Sequence, residues 1–133
     1  MNYLLDSNAC IVFLNKRSNQ LKQRMELCQP QEIVLCSVVK AELLYGAMKS
    51  QNPKVSLFKV ENFCAHFQSL PFDDKAAKFY GKIRSELSAI GKPIGANDFM
   101  IAAIALANEV TLITHNTREF SRVSGLLLED WEL

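Results

Sequence analysis

The chain has 133 residues, 49% hydrophobic and 22% charged, with a formal net charge of +1. This composition argues against disorder and provides apolar surface for one domain over residues 1–133. The near-neutral balance excludes a global field strong enough to attract nucleic acid, so such contacts would need a local basic cluster.

In chain order, Asn2 to Leu5 reads as a short buried strand. Ser7 or Asn8 then caps a helix over Ala9 to Leu14. Leu21, Met25 and Cys28 recur at helical spacing in a second helix from Ser18 to Cys28, which Pro30 ends. Glu32 to Cys36 is a second strand, and Ser37 caps a helix reaching about Met48. Asn52-Pro53 is a start signal for a helix running to Gln68. Ser69 to Phe72 follows as a short strand that Pro71 marks as an edge. Asp73-Asp74 opens a long helix stopped by Gly91, and Lys92 to Ala96 is a loop. Asn97 caps an apolar helix from Asp98 to Ala107. Val110 to Thr114 is a fourth strand, His115 to Ser121 a turn and short helix, and Leu126 to Leu128 the last strand. Strands alternating with helices predict an α/β fold, a three-layer α/β/α arrangement around a parallel sheet of about five strands.

The apolar stretch Phe99–Ala107 is too short to span a bilayer, and Asp6 interrupts the first apolar run where a signal peptide would continue. A cytoplasmic protein is expected. Cys10, Cys28, Cys36 and Cys64 form no Cys-x-x-Cys pair, and His66 and His115 are scattered. The thiols read as reduced, small apolar residues rather than as zinc ligands.

Three carboxylates stand where apolar segments leave little room for charge. Asp6 closes Tyr3-Leu4-Leu5, Glu42 interrupts an apolar helical stripe of Val38, Val39, Tyr45 and Gly46, and Asp98 heads the apolar helix. Each has an innocent reading, as a cap for Asp6 or a complement to the helix dipole for Asp98. Together they call for a cation, because a charge at the edge of buried surface is costly unless paired or ligated. In a parallel sheet the end of strand one (Asp6), the helix after strand two (Glu42) and the end of strand four (Asn116) share one rim, whereas Asp98, opening the helix that leads into strand four, is placed there less directly. A hard divalent ion and hydrolysis of a phosphodiester are the matching chemistry.

These segments resemble the VapC toxin family of PIN-domain ribonucleases. The motifs are Leu5-Asp6-Ser7-Asn8, the helix Ser37 to Gly46 around Glu42, Ile94-Gly95-Ala96-Asn97-Asp98, Leu112 to Phe120, and Gly125 to Trp131. They span essentially the whole chain. The resemblance implies a PIN-like fold and an endoribonuclease using Mg²⁺ or Mn²⁺ held by Asp6, Glu42 and Asp98. Ser7, Asn8 and Thr114 would support those ligands. Many PIN domains carry a fourth acid where this chain has Asn116, so either Asn116 or Glu119 completes the pocket. Lys40, Lys49, Arg84, Lys92 and Arg118 are candidate RNA contacts, whereas Lys75, Lys78 and Lys82 read as a solvated face. The C-terminal motifs look most like the subgroup that cuts initiator tRNA in its anticodon stem-loop. The resemblance further implies a homodimer and a VapB-type antitoxin. Its groove would draw on Ile11, Val12, Phe13 and Leu14, with Leu21 and Met25 as walls. Two rivals are an Asp6-nucleophile phosphatase, disfavoured by Asn8 two residues on, and a non-catalytic RNA- or partner-binding module.

Overall fold

The computed structural model describes residues 1–133. Its short apolar runs form the strands β1 (Tyr3–Leu5), β2 (Ile33–Cys36), β3 (Gln68–Leu70), β4 (Thr111–Ile113) and β5 (Leu128–Glu129). All pairings are parallel, in the order β3-β2-β1-β4-β5. Leu4 sits between Val34 and Leu112, which fixes the register at the centre. Every residue of β2 is buried, as a strand covered on both faces must be.

The helices are α1 (Ser7–Leu14), α2 (Asn19–Glu26), α3 (Ser37–Met48), α4 (Pro53–Cys64), α5 (Asp74–Ala89), α6 (Ala96–Asn108) and α7 (Thr117–Phe120). The most deeply set is α6. Phe99, Ile101, Ala102, Ala103, Ile104, Ala105 and Ala107 are all buried, so it is apolar on most of its circumference. One contiguous cluster of 34 buried apolar residues joins it to β1, β2 and β4, leaving no second core.

The predicted elements are present, with shifted ends. The cap of α1 is Asp6, whose carboxylate accepts the Ala9 N–H at 2.8 Å, rather than Ser7 or Asn8. Cys36 precedes α3, making Ser37 its first residue, and Gly95 precedes α6, leaving Asn97 inside the first turn. Helix α4 stops at Cys64, four residues short of expectation, because Gln68–Leu70 are drawn into pairing with β2. As expected, β3 lies at a sheet edge, with Pro71 just beyond it. The last strand begins at Leu128 rather than Leu126, set by pairing of Leu112 with Leu128. A 3₁₀ turn at Pro30–Glu32 replaces the simple break at Pro30.

Candidate active site

Strand order reverses around β1, which lies between β2 and β4. A crevice at the carboxyl edge of the sheet is therefore expected beside the end of β1. Asp6 stands there, only 4% exposed. Its carboxylate is held by the Ala9 N–H and by the Thr114 hydroxyl at the end of β4. That hydroxyl in turn accepts the Asn116 N–H at 3.0 Å. The acid is thus locked between two neighbouring strands.

Asp98 reaches the same rim because α6 must run back along the sheet to deliver the chain to the start of parallel β4. A helix of 13 residues is about 20 Å long, enough to bring its first turn to the carboxyl edge. Gly95 adjoins the acid: a Cβ at this position would make an ordinary van der Waals contact with the Asp98 carboxylate at 3.4 Å.

Glu42 projects from α3, the helix entered directly from β2. The stripe that α3 buries is Val39, Leu43 and Ala47. Tyr45, expected on that stripe, is 65% exposed, and Glu42 lies at the stripe's margin rather than within it. The Ser7 hydroxyl donates to one Glu42 oxygen in a short hydrogen bond, and the Asn97 amide reaches the other at 3.5 Å. Ser7 follows Asp6 and Asn97 precedes Asp98, so Glu42 is tied by hydrogen bonds to the neighbours of both other acids. Asn8, by contrast, is exposed. Asn97 was legible only as a cap; its adjacency to Asp98 was the available clue to this second use.

The electrostatics record the convergence. Burial pushes the Asp6 carboxyl up to about 6, against the opposing hydrogen bonds, with Asp98 and Glu132 adding repulsion. Asp98 is likewise pushed up to about 6, by burial first and then by Glu42 and Glu119. Like charges and desolvation both disfavour the ionised form. Glu119, in α7, is close enough to repel Asp98, and the Asn116 side-chain amide donates to Glu119 at 3.2 Å. Asn116 and Glu119 stand together rather than as alternatives.

The candidate basic residues are dispersed. Lys92 and Arg118 are exposed in the α5–α6 loop and in α7. Arg84 stacks its guanidinium over Tyr80 and over Phe99, the residue after Asp98, at 5.6 and 5.7 Å. Lys40 lines a small cavity with Glu61 and Cys64. Lys49 sits over the Tyr45 ring at the end of α3, about 10 Å along the helix from Glu42.

Away from the acids, α1, α2 and α4 enclose a groove of about 790 Å³ whose apolar walls include Phe13, Leu14, Met25, Phe58, Phe63 and Phe67. Lys16, Lys22 and Lys59 stand at it as well. Phe13, Leu14 and Met25 were expected walls. Leu21 is instead fully buried in the core, Val12 packs against that core, and Ile11 is partly exposed outside the groove. The phenylalanines of α4 were missed, since helical periodicity alone reads them as core.

Comparison with known proteins adds an independent line. A family model described as PIN domain matches residues 3–126. The chain is 40% identical over 131 residues to the tRNA(fMet)-specific endonuclease VapC of Shigella flexneri, covering 98% of each protein. It is 37% identical over 133 residues to Ribonuclease VapC2 of Rickettsia felis, covering 99% of each. The fold is similar to that in DNA-bound VapBC from Salmonella typhimurium, with a TM-score of 0.93, 36% identity and 98% of both chains covered.

Proposed function

The chain belongs to the VapC family of PIN-domain proteins, and from that premise we propose that it is a toxin of a toxin–antitoxin pair: a metal-dependent endoribonuclease, acting as one domain over residues 1–133. The observation that supports this reading is that Ser7, beside Asp6, and Asn97, beside Asp98, both hydrogen-bond to Glu42, while Glu42 and Glu119 both repel the Asp98 carboxylate. Asp6 and Asp98, whose carboxyls burial raises, stand with Glu42 and Glu119 as oxygen donors alone, which fit a hard divalent cation. Asp6, Glu42 and Asp98 would hold Mg²⁺ or Mn²⁺, with Glu119 and Asn116 completing the pocket.

When bound, the ion would supply Lewis acidity toward the attacking water and the scissile phosphate. The chain's own residues supply position. Thr114 fixes the Asp6 carboxylate through its hydroxyl. Ser7 and Asn97 hold Glu42, and Asn116 orients Glu119. Each such group removes rotamer freedom that would otherwise blur the geometry of the reacting atoms.

The proposed substrate is tRNA, specifically initiator tRNA cut in its anticodon stem-loop, in keeping with the relative from Shigella flexneri. Arg84, Lys92 and Arg118 would contact phosphates near the pocket, with Lys40 and Lys49 further along α3. Such contacts position the strand, and unpaired loop bases carry the sequence preference. The proposed partner is a VapB-type antitoxin whose apolar segment lies in the groove walled by Phe13, Met25 and Phe58. The reading extends to a homodimer acting in the cytoplasm. No helix is long and apolar enough to cross a membrane.

The test is incubation of the purified protein with bulk tRNA and Mg²⁺, with mapping of the new ends. Cleavage should disappear with EDTA and with Asp98→Asn, the variant retaining its circular dichroism. Cleavage surviving either change would overturn the reading. RNA binding without turnover under any divalent ion would point instead to a non-catalytic module.

A further inference from the structure

A second group of metal-ligating side chains stands at the C-terminal end of the chain. The β4–β5 ladder continues past β4, with the Thr114 N–H donating to the Glu129 carbonyl at 3.0 Å. This brings His115 opposite Asp130, and the His115 Nδ1 lies 2.8 Å from an Asp130 carboxylate oxygen. The other Asp130 oxygen accepts the Glu132 N–H at 2.9 Å, folding the tail back so that Glu132 joins the group. One nitrogen and two carboxylate oxygens, from His115, Asp130 and Glu132, then lie within 4.8 Å of one another.

We propose that His115, Asp130 and Glu132 form an accessory site for a transition-metal cation such as Zn²⁺, Co²⁺ or Ni²⁺, which pins the C-terminal tail to the end of β4. Adjacent ligands around an ion with bonds of about 2.1 Å are themselves roughly 3 Å apart. The His115–Asp130 separation already approximates that bite, so an ion replacing the shared proton needs little movement there. Closing the site requires Glu132 to approach, and Glu132 lies beyond β5, outside the sheet pairing that holds the strand residues. Imidazole beside two carboxylates selects borderline ions over Mg²⁺, which prefers oxygen donors and keeps its waters. His115 is 62% exposed on its side chain, leaving an entry path and space for coordinated water. His115 is separated in sequence from Asp130 and Glu132 by a whole helix and strand, which is why the spacing of histidines and cysteines gave no sign of the group.

The single tryptophan, Trp131, lies between Asp130 and Glu132 and is itself buried. Its fluorescence is a built-in reporter of an ion at this tail. The experiment titrates Co²⁺ into the full chain carrying Glu42→Gln and Asp98→Asn, so that the acidic pocket no longer competes. Calorimetry should show one equivalent bound, with saturable Trp131 quenching at the same midpoint. Adding His115→Ala should weaken binding by at least about tenfold, the least expected from disturbing a metal ligand's surroundings. Mg²⁺ at equal concentration should leave the bound Co²⁺ in place. Absence of saturable binding in the pocket-silenced chain, equal affinity after His115→Ala, or displacement by equimolar Mg²⁺ would each overturn the proposal. Because none of these readouts is RNA cleavage, they stand or fall independently of the nuclease reading.

Discussion

Asp6→Asn should stabilise the metal-free protein at neutral pH while abolishing the activity proposed for it. Asp6 shifts from 3.8 to about 6 on folding, because burial and the acids around it outweigh the hydrogen bonds from Ala9 and Thr114. A raised folded-state value means that the native protein holds the proton more tightly than the unfolded chain. The associated stability is fully present below about pH 3.8 and is lost as pH rises through about 6. At 1.36 kcal/mol per pH unit, ionised Asp6 costs the metal-free fold about 3 kcal/mol at pH 7.5. Asparagine removes that charge and keeps the oxygen that caps α1 at Ala9. Urea unfolding in EDTA, followed by circular dichroism, should therefore show Asp6→Asn more stable than wild type by up to about 3 kcal/mol at pH 7.5. The gain should shrink towards zero near pH 4. Divalent ion should then stabilise wild type and leave the variant almost unmoved, since binding to the native state alone adds stability. A variant destabilised or neutral at pH 7.5, or a gain that does not change with pH, would refute the account of Asp6 as a strained, cation-seeking acid.

Ser7→Ala frees Glu42 from its hydroxyl donor. It should lower kcat for tRNA cleavage about tenfold, worth roughly 1.4 kcal/mol, with restoration by Ser7→Thr. Phe58 is 72% exposed at the groove, so Phe58→Asp should leave the urea midpoint unchanged. The same variant should weaken binding of the antitoxin's C-terminal peptide by about tenfold or more, as measured by fluorescence anisotropy. Glu109 closes α6 in the left-handed region, with φ of 54°. There Glu109→Gly relieves a Cβ clash and should raise stability by up to about 1 kcal/mol, readable as a higher melting temperature. A lower melting temperature would show that another contact of Glu109 outweighs its backbone strain.

The elements were legible where one segment carried its own signal. The continuous apolar run of β2, the Asn52-Pro53 start of α4 and the small-residue helix after Asp98 all depend on neighbours within a few residues. Their ends were less legible because those ends depend on partners elsewhere. Helix α4 yields to β3 only because Val34 is free to pair with Gln68. Asp6 displaces Ser7 as the cap of α1 because its carboxylate fits the Ala9 N–H in the folded geometry.

The chain order of residue types determined by itself that acids end or open buried segments, that strands and helices alternate, and that the motifs follow those of VapC proteins. What only the tertiary structure decided is which distant side chains act on one another. It set Glu119 to repel Asp98, gave Asn97 to Glu42, moved Leu21 from groove wall to core, and put His115 against Asp130. The physical reason is one of range. Propensity and periodicity act along a few residues of chain, whereas desolvation, like-charge repulsion and ligation depend on distances that exist only once the sheet has brought its strand ends together.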